Sequence, residues 1–466
     1  MGQLKAKTLS KIGYTNDQAR SLALNILSKH YKHDTNEALI DLLTDIKNNP
    51  NNYLQHEVLG KIAEQFTGKE VDIHWQTFDL LAETGMLKIF GGKCIEHSAK
   101  KQMETAMSLP ITMQGALMPD AHAGYGLPIG GVLATKNAVI PYAVGVDIGC
   151  RMSLSIIDED ESFFKRYSYQ MKVALKEQTH FGMEGGLEFH QEHPVLDDAR
   201  FDDTAFLKRM QIKAARQLGS SGGGNHFVEF GLIDMPEGND LQLPAKSYVA
   251  LLSHSGSRGL GATIAQHYTQ IAMQTCKLPR SAQSLAWLDL DTEAGQEYWL
   301  SMNLAGDYAK ACHEAIHYNL LKSLGLKAMA NINNHHNFAW KDTLPSGEEA
   351  IIHRKGATPA HAGEWGIIPG SMTTAAYLVK GLGNEAALYS ASHGAGRAMS
   401  RQQAKQKMTV SALKKILADA GVTLIGGSVE ENPFAYKDIE TVMAAQTQLV
   451  NVQGRFLPKI VRMHKE

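Results

Sequence analysis

A chain of 466 residues with 44% hydrophobic and 20% charged side chains reads as a soluble globular protein, long enough for a large core and more than one sub-domain. Its formal charge of −2 gives no global argument for nucleic-acid binding and leaves only a local basic patch open. No apolar run reaches the ~18 residues of a membrane span, the opening MGQLKAKTLSKIGY lacks an apolar secretory stretch, and a cytoplasmic location is expected.

Residues from about 15 to 66 show helical spacing. TNDQARSLALNILSKHY opens on Thr15 as a cap, and NEALIDLLTDIKNN carries the pattern on. NPNNY at 49–53 makes a turn, and HEVLGKIAEQFTG is an amphipathic helix closed by Gly68. No chemical cluster falls here. Residues 1–70 therefore read as a helical N-terminal extension, structural or partner-binding, and residues 71–466 as the second domain.

From about residue 110 the texture changes. GGVLATKNAVIPYAVGVDIGC is rich in β-branched residues and glycine, which predicts short strands. Residues 160–218 read as mostly helical, and HFVEFGLID and SYVALLSHSGSRG as strands. SMNLAGDYAKACHEAIHYNLLKSLG is a helix ended by Gly325. An alanine-rich helix is expected near 373–381 and a further helix over Ser411–Ala420. The fold class is α+β, with polar clusters on loops at strand ends.

The four cysteines, at 94, 150, 276 and 312, form no CxxC pair and no disulfide framework. Five short stretches nevertheless place metal-binding side chains beside small residues. They are GVDIGCR with Asp147 and Cys150, GGGNHFVEF with Asn225, His226 and Glu229, LLSHSGSRG with His254 and Arg258, NNHHNF with His335, His336 and Asn337, and PDAHAGYG with Asp120 and His122. Each alone is weak, since a lone histidine or cysteine is usually a packing residue. Their recurrence favours one composite site. Thiolate, imidazole and carboxylate together suit Zn²⁺, Mn²⁺ or Fe²⁺, and a thiolate shared by two ions suits phosphoryl transfer.

GSSGGGNH could cradle phosphates with backbone N–H groups but is not a P-loop. Arg258, Arg354, Lys355, Arg397 and Arg401 supply cations near these loops. HEAIH at 313–317 matches the zincin pattern, with Glu314 as base and a third ligand to be found at Glu348 or His335. In a chain with twenty histidines such a match arises readily by chance, and packing is the expected role.

Taken together, MPDAHAGYGLPIGG, GVDIGC, GGGNHFVE, HSGSRG, HHN, HRKGAT, PGSM, SASHGAGRAMSR and AYKD, in that order, resemble the RtcB family of tRNA-splicing and RNA-repair ligases. The likeness runs from about residue 110 to the C-terminus. It implies an RtcB-like mixed fold, with central β-sheets around a dinuclear metal site. It implies GTP and two Mn²⁺ ions as cofactors. The implied partner is RNA with 3′-phosphate or 2′,3′-cyclic phosphate and 5′-hydroxyl ends. His393 would be the nucleophile that takes GMP, with Asp120 a second functional residue. Asp147, Cys150, His226, His254 and His336 would bind metal, Cys150 bridging. His336 is preferred to His335 because the family's ligand directly precedes the asparagine. GTP would meet Asn225, His226, Phe227, Val228 and Glu229, then His336 and Asn337, then Pro369, Gly370, Ser371 and Met372. His393, Gly394, Ala395, Gly396, Tyr436 and Lys465 would complete that pocket, with Glu229 reading guanine. Arg258, Lys355, Arg397 and Arg401 would hold RNA phosphates. Two positions depart from the pattern: Ala376 stands where a serine is frequent, and MHKE replaces the usual VKG ending. The competing readings are a metal-dependent cyclic phosphodiesterase or phosphatase without ligation, and a non-catalytic RNA-end-binding protein.

Overall fold

The structure is a computed structural model that describes residues 4, 6–14, 17–32, 34–56, 58–66, 75–182 and 191–465. The chain divides into two compact units, Met1–His74 and Trp75–Glu466. The first holds helices Ala6–Lys11, Asp17–His30 and Asn36–Asn48 and the single turn Gly60–Ala63. Thr35 caps the third by accepting from Ala38 N. Leu9, Ala23, Leu27, Leu43, Ile46 and Ile62 form its core, and Tyr14 packs edge-on to Phe66 while its hydroxyl donates to Leu43 O at 2.8 Å. The caps expected at Thr15 and Gly68 lie outside the described residues. Among its described residues, HEVLGKIAEQFTG is helical over Gly60–Ala63, and Pro50–Asn52 forms a 3₁₀ turn.

The second unit mixes helices with two principal sheets. The larger sheet runs in the order Ala328–His335, Arg151–Ile157, Lys246–Ser255, Phe227–Met235, Val450–Met463, Ala376–Gly381, Trp365–Ile368, with Thr423–Ile425 also pairing to the long C-terminal strand. It curls until its end strands meet, Ile367 N donating to Asn334 Oδ1 at 3.0 Å. Strands alternate their side chains between faces. Met152, Leu154, Ile156, Ile233, Tyr248, Leu252, Ile332, Leu378 and Phe456 fill the inside of the curl. Val228, Phe230, Leu232, Val249 and Leu251 point outward against helices Glu161–Gln178 and Glu293–Leu324. The latter helix ends at Gly325, whose φ of +66° suits glycine.

The second sheet runs Asn337–Thr343, Glu349–Lys355, Ile129–Thr135, Thr112–His122, Met86–Ile89. One face packs Ala116, Met118, Val132 and Ile352 against Tyr377 and Val379 of the first sheet. The other packs Leu117, Leu133 and Ile351 toward helices His97–Met107 and Glu293–Leu324. His336 alone separates Ala328–His335, an edge strand of the larger sheet, from Asn337–Thr343, an edge strand of the second. No helix among the described residues is long and apolar enough to cross a membrane.

One expectation is corrected. The alanine-rich segment near 373–381 is not a helix but the strand Ala376–Gly381, paired on both sides with Trp365–Ile368 and Val450–Met463. Its alternation decides the matter. Ala376 and Leu378 face the curl while Tyr377 and Val379 face the second sheet, a pattern only a strand can satisfy. The helix expected over Ser411–Ala420 is observed as Val410–Asp419.

At Gly231 the sheet is tightest, because a Cβ there would lie 2.2 Å from Leu457 O. Gly231→Ala should force the two strands apart and lower stability by roughly 1–3 kcal/mol. Chemical denaturation checks this, and an unchanged midpoint would contradict such close packing.

Candidate active site

Four strand ends of the curled sheet deliver metal-binding side chains to one place. Cys150 precedes Arg151–Ile157, His226 precedes Phe227–Met235, His254 lies near the end of Lys246–Ser255, and His336 follows Ala328–His335. Cys150, His254 and His336 continue the inward-facing sets of their strands by the two-residue repeat, whereas His226, which has the parity of the outward Val228, lies outside its strand just after the turn at 224–225. His336 N donates to Cys150 O at 2.9 Å, which holds two of these ends together. Gly149 brings the Asp147 turn against the long helix, since its φ is +69° and a Cβ would lie 2.8 Å from Gly306 Cα.

Cys150 Sγ lies 3.2 Å from His254 Nε2 and 3.5 Å from His226 Nε2. His254 Nε2 is 3.3 Å from His336 Nε2, and His226 Nε2 is 3.0 Å from Asp147 Oδ2. The donors form two overlapping triads, Cys150–His254–His336 and Asp147–Cys150–His226, with donor atoms within 4.8 Å of one another. His254 Nδ1 donates to Asn225 O at 3.1 Å, which leaves Nε2 as the lone-pair nitrogen. Burial lowers His254 to about 3 and His336 well below the usual range, so both imidazoles are neutral. Burial, with Asp147 alongside, raises the Cys150 thiol. Neutral imidazoles, a thiol and a carboxylate converging on each other, with His226 Nδ1 and His336 Nδ1 buried and unpartnered, fit a borderline divalent cation.

The opposite wall carries His393, directly after the strand Ser390–Ser392. Its Nδ1 donates to Asp120 Oδ2 at 2.7 Å, and its backbone N donates to the same oxygen at 3.2 Å. Asp120 is fully buried on Thr112–His122. Burial pushes its carboxyl up, but the His393 hydrogen bond and the nearby His393 and Lys437 charges hold it below the usual range. This pairing fixes the tautomer and leaves the lone pair on His393 Nε2. Gly396, at φ +72°, is needed because a Cβ would lie 2.0 Å from Asp120 O. The His336 and His393 ring centroids are 5.0 Å apart.

Between the walls lies a cavity of about 310 Å³. Of the residues singled out above, Asp147, Cys150, Asn225, His226, Phe227, Glu229, His254, His336, Asn337 and Lys355 line it, with Pro369 to Met372, His393 to Gly396, Arg397, Arg401 and Tyr436. Asp120 sits behind His393. Val228 does not line the cavity, because its strand position points it into the core under the helices. Lys465 is exposed and off the lining, and Arg258 is turned to Ser220 Oγ and Gly182 O. Asn337 lines the cavity, but its amide joins Asp147 O to Gly356 N. Arg397 likewise gives its guanidinium to Glu431 Oε2, Glu430 O and Met399 O.

Two residues without an assigned role complete the site. Glu431, only 2% exposed, accepts from Arg397 and Tyr436 and pairs with Arg401 Nε at 3.5 Å. Lys437 donates to Ala121 O at 2.6 Å, beside Asp120. Lys437 lies in the AYKD stretch, whereas Glu431, which lines the cavity from the turn Val429–Glu431, has no local signal. The zincin pattern is not assembled. His313 Nδ1 and His317 Nε2 share Ser253 Oγ at 2.6 and 2.7 Å, while Glu314 is exposed and pairs with His193 and Lys310. His335 points away from the donor cluster, stacked on Phe338 and bonded to Arg151.

The profile of a family described as tRNA-splicing ligase RtcB matches residues 102–203 and 160–464. The RNA-splicing ligase RtcB1 of Escherichia coli is 33% identical over 395 residues, covering 78% of this chain and 93% of that protein. The tRNA-splicing ligase RtcB of Nanoarchaeum equitans is 31% identical over 432 residues, covering 77% and 90%. The RNA-splicing ligase RtcB of Mycobacterium tuberculosis is 30% identical over 425 residues, covering 77% and 98%. The chain belongs to the RtcB family.

Cys150 is common to both triads, so Cys150→Ala should remove most of the bound divalent metal. Elemental analysis of chains loaded with Mn²⁺ reads this directly, and full metal content in the variant would rule out a shared thiolate.

Proposed function

We propose that this chain is a GTP- and Mn²⁺-dependent RNA ligase of tRNA splicing or RNA repair. It joins an RNA 3′-phosphate or 2′,3′-cyclic phosphate end to a 5′-hydroxyl end. The observation that carries this reading is the Asp120-bound His393 facing the Cys150–His254–His336 donors across one cavity. The names of the relatives, RNA-splicing and tRNA-splicing ligases, support it.

In this reading His393 Nε2 attacks the α-phosphorus of GTP. The N–P bond forms as the α–β phosphoanhydride breaks and pyrophosphate leaves. Asp120 holds the Nδ1 proton and stabilises the charge that develops on the ring. An oxygen of the RNA 3′-phosphate then displaces the histidine and takes the GMP. The 5′-hydroxyl attacks the RNA phosphorus, GMP departs, and the phosphodiester closes. A cyclic end is first opened by water to the 3′-phosphate. Asp147, Cys150, His226, His254 and His336 would hold two Mn²⁺ with Cys150 in common, and bound ions would offset phosphate charge and assist the leaving group. The loops Asn225–Glu229, Pro369–Met372 and Gly394–Gly396, with Tyr436, would hold the nucleotide. Lys355, which keeps one N–H after donating to Tyr125 O and Tyr142 O, and the exposed Arg401 are the cavity cations best placed for RNA phosphate, as the Arg397 guanidinium is taken up by three bonds within the protein.

With Mn²⁺ and α-labelled GTP, the wild-type chain should gain acid-labile, alkali-stable label and His393→Ala none. Asp120→Asn should slow labelling by roughly 10²–10⁴-fold. Absence of label on a folded, metal-loaded chain would favour a phosphodiesterase or RNA-end-binding role instead.

Glu229 gives a second test. Burial alone holds its carboxyl well above the usual range, which favours the protonated form in the free site. Guanine N1–H and N2–H₂ are donors that favour the ionised form. GTP binding should therefore release a proton, and affinity should rise with pH up to the raised pKa. Calorimetry in buffers of differing ionisation enthalpy should show release by the wild type and none by Glu229→Gln. Glu229→Ala should reduce preference for GTP over ATP about tenfold or more. Unaltered discrimination would remove Glu229 as the guanine reader.

A further inference from the structure

The ring of Tyr125 is 77% exposed, yet the backbone that carries it is tied on every side. Ala123 N donates to Glu96 Oε1 at 2.6 Å. Gln102 grips Gly124 twice, accepting from its N at 3.0 Å and donating to its O at 2.6 Å. Tyr125 O accepts from Lys355 Nζ. Gly126, at φ +71°, turns the chain immediately afterwards. The Tyr142 ring stands 6.5 Å away, tilted by 45°, and Lys355 Nζ lies 5.1 Å from that ring. A tyrosine kept for packing would bury its ring. Here the main chain is immobilised and the aromatic face is left open to solvent.

The location gives this feature its meaning. Lys355 lines the cavity, and the next residue, Gly356, comes so close to His393 that a Cβ would lie 3.1 Å from His393 Cε1. Lys355 donates to Tyr125 O and, at 3.0 Å, to Tyr142 O, which leaves one N–H to give. An anion held by that N–H sits one residue from the Tyr125 ring. Phosphate and base are similarly close neighbours in a single nucleotide.

We propose that Tyr125 is a stacking platform for the unpaired terminal base of the RNA 3′-phosphate end, with Lys355 taking that end's phosphate. The proposal rests on the RNA-ligase reading above. A rigidly mounted aromatic ring binds a base without reading its sequence, because every base offers a π-face. Prior fixation of the loop means little ordering cost remains for binding. An enzyme that repairs breaks of varied sequence gains from such a contact.

Fluorescence anisotropy tests this with the full chain and a labelled single-stranded RNA ending in a 3′-phosphate. A second RNA carries an abasic final nucleotide. Tyr125→Ala should raise the Kd for the intact RNA about tenfold. Tyr125→Trp should restore it. The abasic RNA should bind wild type and Tyr125→Ala alike. Equal Kd values for wild type and Tyr125→Ala on intact RNA, or an equal loss on the abasic RNA, would overturn stacking. GMP labelling read in parallel separates this proposal from the ligase reading. A labelled wild type whose Tyr125→Ala variant binds RNA normally removes only the platform. A wild type that neither labels nor binds RNA removes both. A Tyr125→Ala variant that loses label along with RNA affinity indicates a displaced Lys355 loop and also counts against stacking.

Discussion

Consecutive side chains of a strand leave on opposite faces, and most of the site hangs on that alternation. Within the curled sheet, Val228 packs under the helices while Glu229 faces the cavity. Ser253 meets the histidines of the long helix while His254 meets Cys150. His335 stacks on Phe338 while His336 joins the donor cluster. In each pair one residue serves the packing of the fold and its neighbour serves the cavity. A slip of register by one residue in any of these strands would exchange the two roles. The apolar core therefore enforces the geometry of the polar site. The inward Leu154, Ile233 and Leu252 and the outward Phe230 and Leu251 set the parity that Cys150, Glu229 and His254 inherit.

Desolvation does the rest of the chemical work. Imidazoles that would titrate near neutrality are held neutral by burial, leaving lone pairs for a cation. On the other wall, burial without a cation would neutralise Asp120, and the bond from His393 with the Lys437 charge prevents this. A fully buried cation acts at a distance. Arg354, 1% exposed and stacked 4.6 Å over Trp340, donates to Ser390 Oγ and to Leu388 O. Leu388 and Tyr389 both adopt left-handed conformations, at φ +50° and +51°. Such a conformation costs roughly 1–2 kcal/mol per non-glycine residue. Arg354 thus braces the strained turn from which the His393 strand begins.

Much of this could be read from the sequence, for identifiable reasons. The clustered donor residues and His393 lie in short glycine-flanked stretches, and glycine marks close approach: Gly149 against the long helix and Gly396 against Asp120 are positions where a Cβ does not fit. The strand Lys246–Ser255 was legible from its apolar run Tyr248–Leu252, although the expected stretch SYVALLSHSGSRG runs past the observed end into the next helix. The strand Ala376–Gly381 was misread because two alanines raise local helix propensity, whereas ladder partners on both sides decide the outcome. Arg397, Asn337 and Arg258 look in sequence like free ligand-binding groups. Their hydrogen bonds go instead to Glu431, Gly356 and Ser220, partners from separate segments that no local pattern discloses. Glu431 was invisible for the same reason.

The direct passage from one sheet to the other through His336 has a bearing on how such a chain can vary. Loops ordinarily absorb insertions and deletions because their length is not tied to anything else. Here no loop intervenes: one residue ends the strand Ala328–His335, offers a donor nitrogen, and begins the strand Asn337–Thr343. A codon gained or lost at this point would reverse the facing of one whole strand relative to the other. It would set the cores of two sheets against each other while moving the imidazole off its partners. Folding and chemistry share a single reading frame at this position, so length change here is closed to the protein even where amino-acid substitution nearby remains open.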